Sequence, residues 1–373
     1  MYLEAFSTHF SAIQDKRQAT KVTYPLFDVL FVTMCAVIAG AEGWTEIHDF
    51  AVGHHNWFKK HGILKDGVPV DDTIARTISR IDPEQFNTCF VSWMQAVNEL
   101  SGGELVAIDG KTLRGSYNRG DRKSTIHMVN AFATGNRMVL GQIKTAEKSN
   151  EITAIPELIS LLDINGALVS TDAMGCQANI ANEILKGGGD YLFGVKDNQP
   201  TLHNSLKDVF KEERSAPVEA FRAEKGHGRV EARAYYVKKA TELGEIAEKW
   251  PGIQTVAMVL SYRKLKGKEP QLSYRYYISS AELTEKAFAD GIRKHWLVEN
   301  TLHWVMDVSK REDHCQIYRN NAAENLAILR RLTVNMLRAE RSTGSIARKQ
   351  KRAWMKTSYL EKVLIAGFNT IGK

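Results

Sequence analysis

Apolar positions fall into distinct regimes along the 373 residues. From 1 to 100 they recur at helical spacing. In "WTEIHDFAVGHHNWFKKHGIL", Trp44, Ile47, Phe50 and Ala51, then Trp57 and Phe58, line one helical face each. Asp71/Asp72 and Asp82-Pro83-Glu84 mark two further helix starts, because acids favour the first turn and proline suits its first position. The stretch "LFDVLFVTMCAVIAGA", residues 26–41, carries no charge after Asp28. It falls short of the roughly 20 apolar residues that span a bilayer and predicts a buried core helix. The amino end, "MYLEAFSTHF", lacks a basic start followed by an apolar stretch, so no signal peptide is expected.

At 104 the period changes. "ELVAID", "STIHMVNAFAT" and "RMVLGQIKTAE" read as strands, the last two joined by a turn at Thr134-Gly135-Asn136. "EITAIPELISLLD" is an amphipathic helix, and "GALVSTDAMGCQ" a short strand ending at Asp172. "ANIANEILKGGG" is a helix stopped by glycines, and "DYLFGVKDNQP" another strand. The order is β-β-β-α-β-α-β, an α/β mixed sheet flanked by helices. "RVEARAYYVKKA", "TVAMVLSYRKL" and "LSYRYYISS" then predict an all-β insertion, and helices resume at about 285. The expected domains are a helical amino-terminal domain (1–100), the first part of the core (101–200), the β-rich insertion (201–284), a completion of the core (285–340) and a basic helical tail (341–373). His54, His55, Lys59, Lys60 and Arg76 make the first of these either a DNA grip or a helical lid with a solvated basic face.

The net charge of +7 and pI of about 9.0 lean toward a polyanionic partner. Cys35, Cys89, Cys176 and Cys315 form no CxxC pair, which argues against a zinc knuckle or a disulfide framework and fits a reducing cytoplasm. "DGKT" is not a P-loop, because Leu105 stands where the first glycine belongs. Gly226 and Gly228 lack the strand–glycine–helix context of a dinucleotide site, and neither GxSxG nor HExxH occurs.

Carboxylates remain. Asp109 and Asp172 each close an apolar strand, at the strand ends where α/β sheets gather functional groups. Two such acids side by side repel unless a cation sits between them. Mg²⁺ takes one or two carboxylates together with phosphate oxygens. In "IRKHWLVENTLHWVMD", Ile292, Trp296, Glu299, His303 and Met306 share one face if the helix is continuous, so Glu299 is expected inside a mostly apolar stripe. His295, Glu299 and His303 stand four apart, the spacing of a zinc face. Glu312 and Asp313 follow Lys310 and Arg311 and read as exposed and self-paired. Lys111, Arg114, Lys196 and Arg229 are either DNA backbone contacts or solvated charge. Asn198 and Gln199 either brace the site or touch DNA, and Asn198 also suits a turn.

Asp109 on a first strand, Asp172 on a fourth, a β insertion and Glu299 on a following helix resemble the D-D-E transposases with an RNase H-like core. "AIDGKTLRGS", "STDAMGCQ", "YLFGVKDNQP", "KGHGR" and "HWLVENTLHWVMDV", followed by "ED…NAAENLA", are similar to the H-repeat-associated insertion-sequence transposases over nearly the whole chain. Broader relatives carry Arg four residues before the third acid and Lys seven after; here those positions are His295 and Met306.

The resemblance implies a DNA transposase that cuts and joins insertion-sequence ends by two-metal-ion chemistry. Asp109, Asp172 and Glu299 would hold Mg²⁺, or Mn²⁺ as a substitute, and Lys111, Arg114, Lys196, Asn198, Arg229 and His295 would meet DNA. It also implies double-stranded DNA partners (element ends and target), no membrane, a homodimer in the synaptic complex and a bacterial cytoplasmic, nucleoid-associated location. The rivals are a metal-dependent nuclease that does not join ends, and an inactive DNA-binding relic.

Overall fold

The computed structural model describes residues 2–100, 102–117, 125–145, 151–214, 223–226, 229–265 and 269–369, without the side chains of 223–226, 229–230 and 265. The nine strands among them are β1 (Leu105–Thr112), β2 (His127–Ala133), β3 (Met138–Thr145), β4 (Leu168–Thr171), β5 (Asp190–Val195), β6 (Ala223–Gly226), β7 (Arg229–Lys239), β8 (Thr255–Leu265) and β9 (Gln271–Ser279). With helices Glu151–Ser160 and Ala178–Lys186 they give the expected β-β-β-α-β-α-β order, an RNase H-like core. The chain divides into two compact units.

One unit comprises Met1–Glu99, Gly110–Asn150 and Val298–Lys373. Its helix Leu26–Ala39 is buried from Val29 to Ala39, as its uniform apolarity demands, and Gly40 ends it at φ 103°. No single described helix is long and apolar enough to cross a membrane. Asp82 caps helix Pro83–Val97 by accepting from the Glu84 and Gln85 amides. The 18-residue helix Ala322–Ala339 is buried over most of its length. Its Asn325 donates to the Ile78 and Ile81 carbonyls, and its Asn335 both donates to and accepts from the backbone of Val139 on β3. In the basic tail, the indole of Trp93 reaches the Gly367 carbonyl at 3.2 Å. Gly367 also packs closely on Met336, whose Cγ would lie 2.4 Å from a Cβ there.

The other unit comprises Leu100–Asp109 and Glu151–Leu297. Its strands run β1-β4-β5-β9-β8-β7-β6. The β1–β4 and β4–β5 pairs are parallel, and every later pair is antiparallel. The three strands of the insertion therefore do not stand apart as a separate module. Residues Leu192–Val195 of β5 pair with Tyr276–Ser279 of β9, which extends the core sheet. Helix Glu285–His295 covers it, with Phe288 and Ile292 packed on Leu192, Ala257 and Val259. Gly188, at φ 75°, lies in the glycine run that follows helix Ala178–Lys186.

The helix expected through Val308 is broken. An α-helix ends at His295, a π-helical turn spans Val298–His303, and a short α-helix follows at Trp304–Val308. The wider turn shifts the angular spacing of every later residue, so the proposed stripe does not form. Ile292 and Met306 are buried, but Trp296 is 44% exposed and Glu299 is exposed.

Candidate active site

Asp109 and Asp172 are placed by strand register. The last β1–β4 pair is Ile108↔Thr171, and the two acids are the next residues on these neighbouring parallel strands. Parallel strands put both at the same end of the sheet. β1 itself continues to Thr112, so Asp109 lies within its strand rather than closing it; what stops there is the pairing with β4. Asp172 does close β4. Its carboxylate is exposed and accepts from the Met174 amide at 2.9 Å, capping the turn Ala173–Gly175. That turn is tight: a Cβ on Gly175 would lie 2.6 Å from Thr171 Cβ.

Asn198 donates to the Ala173 carbonyl at 2.7 Å, and Gln199 donates to the Cys176 carbonyl at 2.9 Å. Both amides thus brace the turn that carries Asp172. His295 Nδ1 lies 2.9 Å from Ser170 Oγ on β4. Burial pulls the imidazole pKa down, with Asp172 pushing the other way. Lys196 is exposed just after β5. Arg229 opens β7, and its side chain lies outside the described residues.

Glu299 belongs to the other unit, on the π-helical turn. Its side chain is 58% exposed, and its Oε2 accepts from His303 Nδ1 at 2.8 Å. That hydrogen bond, with the charges of His303 and Lys111, holds the Glu299 carboxyl below its usual pKa against a smaller opposing effect of burial. Glu299 and His303 sit on this turn, and His295 ends the α-helix before it.

Lys111, expected at the DNA backbone, is 8% exposed and tied to Asp307 at 2.6 Å and Asp313 at 3.6 Å. Arg114 is 82% exposed, with Asp313 3.6 Å from its Nε. Gly115 lets the chain pass Cys315, whose carbonyl oxygen a Cβ would approach to 2.4 Å.

Glu312 overturns its expectation most plainly. It is fully buried, and its Oε1 accepts from Arg331 Nη1 at 2.5 Å; both side chains are 0% exposed. Burial alone would raise the Glu312 pKa, but Arg331 and Arg330 reverse the sign and lower it. Arg331 also donates to Asn130 Oδ1 on β2 at 2.6 Å. Sequence reading missed this pair. Its one signal was the pair Arg330-Arg331 inside the mostly apolar run of "LAILRRLTVNML".

The family model "Transposase DDE domain" matches residues 100–336, and "DDE_Tnp_1-associated" matches residues 7–94. The "H repeat-associated putative transposase YhhI" of Escherichia coli K12 is 45% identical over 372 residues, covering 98% of each chain. The "Putative transposase YncI" of Escherichia coli O157:H7 is 44% identical over 387 residues, covering 99% of this chain and 98% of that one. Among solved structures, a piggyBac transposase synaptic complex with hairpin DNA aligns at a TM-score of 0.48 and 14% identity. It covers 97% of this chain and 81% of that chain, a likeness too distant to argue from.

Proposed function

This chain belongs to the DDE transposase family, and we propose that it cuts DNA at insertion-sequence ends and joins them to target DNA, with Asp109, Asp172 and Glu299 as its metal-holding acids. The observation that carries this reading is the parallel register Ile108↔Thr171, which makes Asp109 and Asp172 the next residues on neighbouring strands at one end of the sheet. Acids so placed repel each other and favour a cation between them. The donor set also fits. Three carboxylates offer hard oxygen ligands suited to Mg²⁺ or Mn²⁺. The depressed pKa of Glu299 keeps it ionised near neutrality. Divalent ions bound there would stabilise the attacking and leaving oxygens of an in-line displacement at phosphorus.

The chain's own residues orient these ligands. Asn198 and Gln199 fix the turn that presents Asp172, and His303 aims the Glu299 carboxylate. In the first step water displaces a 3′ oxygen at the element end, and in the second the freed hydroxyl attacks target DNA at the same acids. Exposed Arg114 and Lys196, with Arg229, are proposed to meet backbone phosphates, which position DNA without reading it. Lys111 is assigned to holding the acids Asp307 and Asp313. The proposed partners are double-stranded element ends and target, in a homodimeric synapse at the bacterial nucleoid.

A strand-transfer assay with labelled element ends and Mg²⁺ tests the reading. Joined products are expected. Cut ends alone would make the chain a nuclease, and a mobility shift without cutting would make it a DNA-binding relic.

A further inference from the structure

Strands β7, β8 and β9 carry different chemistry on their two faces. Side chains alternate between the faces of a strand, and directly paired residues share one. Three successive rungs at the outer end of one face are Glu231–Arg263–Gln271, Arg233–Ser261–Ser273 and Tyr235–Val259–Arg275. Those nine positions hold three arginines, two serines and one amide against a single acid. The intervening rungs on the other face are Ala232–Tyr262–Leu272 and Ala234–Leu260–Tyr274, with no charge at all. Ala232 and Leu260 of that other face are buried, so charge collects on the solvated side.

The arginines are spread one per strand and one per rung, and each is exposed. Arg263 has Glu231 at 3.5 Å and remains 51% exposed. Arg275 lies over the Trp296 ring, 5.4 Å from its centroid, which holds its guanidinium in place before any partner arrives. Helix Glu285–His295 covers the next rung inward, Val237–Ala257–Tyr277, and also Tyr235 and Val259 of the third rung, so the cationic area ends at Arg275. Arg293 at the end of that helix is 3.6 Å from Asp290 and is left out of the set.

We infer that this outer face binds the phosphate backbone of duplex DNA, with Arg233, Arg263 and Arg275 each meeting a phosphate and Ser261, Ser273 and Gln271 supplying neutral hydrogen bonds. The partner follows from the reading of the chain as an enzyme that holds DNA, on which this inference rests. Guanidinium groups match phosphate oxygens in a two-pronged fashion, and hydroxyl and amide groups are the common neutral partners of nucleic-acid backbone. Such a contact positions DNA irrespective of sequence.

The test is the salt dependence of full-length protein binding to a short duplex of arbitrary sequence, without divalent metal. Each lost phosphate contact reduces the steepness of log affinity against log salt by about 0.9, so the triple variant R233Q/R263Q/R275Q is expected to be shallower than the parent by about 2–3. Its thermal midpoint should match the parent's. If the triple variant misfolds, Arg233→Gln alone decides, with an expected change of about 0.9. A slope unchanged from the parent in a folded variant overturns the contact, as does a parent protein that does not bind duplex. A parent that binds with the expected variant slopes, yet never cuts element ends in Mg²⁺, leaves the contact standing and sinks the transposase reading.

Discussion

Glu299 and Glu312 lie thirteen positions apart in one unit, and both have depressed pKa values, for opposite reasons. Glu299 is mostly in water, and the hydrogen bond from His303 leaves carboxylate lone pairs available for a cation. Glu312 is sealed away, and its charge is answered by the buried guanidinium of Arg331. Ionisation is therefore a poor marker of function on its own. What separates a ligand from a structural acid here is access. A buried, paired acid is costly to disturb and useless to a substrate, whereas an exposed acid with one orienting partner is cheap to alter and chemically available.

The most severe test of that contrast is catalytic. Asp109→Asn, Asp172→Asn and Glu299→Gln should each lower DNA cleavage by about 1,000-fold or more, the scale of removing a positioned electrostatic group from a transition state. Thermal midpoints should hold, because none of the three side chains is buried. Measuring nicking beside melting decides it, and cleavage at the parent rate in any variant removes that acid from the ligand set.

The mirror experiment is Glu312→Gln. It strands Arg331 in the interior and should cost about 3–5 kcal/mol in denaturant unfolding. A normal unfolding midpoint combined with lost cleavage would move the third ligand to Glu312 and dissolve the contrast.

Glu340 sharpens the comparison as a paired acid of a third kind. Burial pushes its pKa up, but hydrogen bonds from Ser342 and Tyr359 and the charge of Lys349 outweigh that and hold it at about 2. A carboxyl depressed in the fold contributes stability at pH above its unfolded value of 4.5 and loses it as pH falls toward 2. Acid unfolding of the parent should steepen across that window. Glu340→Gln should flatten it while leaving cleavage at neutral pH unchanged.

The smallest effect concerns two neighbouring cations. Arg114→Ala should reduce the salt slope of DNA binding by about 0.9. Lys111→Ala should leave the slope intact and lower the melting point, because Asp307 and Asp313 lose their shared partner. Equal slope changes for both would put Lys111 back at the DNA.

Much of this architecture was legible in the amino-acid order. Alternating and helical spacing located the core strands and helices, and apolar runs ending in acids picked out Asp109 and Asp172. Three features were not legible. Attachment of β9 to β5 is a choice among exposed edges that strand composition does not make. The π-helical turn inserts a local change of period into a sequence whose spacing suits a continuous α-helix. Glu312 sits in "KRED", a run that looks solvated, and its true partner Arg331 lies a helix away.

The way Ala322–Ala339 is buried has a consequence for synthesis. This helix is clasped by Asn325 bonds to Ile78 and Ile81, and the tail beyond it by the Trp93 bond to Gly367. The amino-terminal helices leave the ribosome first, yet those partners emerge only at the end of translation, at about 5–20 residues per second. The unit carrying Glu299 thus closes last, after its opening segment, Met1–Glu99, has waited through the making of the entire other unit. A nascent chain has both aspartate strands long before it has a finished site, and a message truncated before codon 322 yields amino-terminal helices with no core to close on.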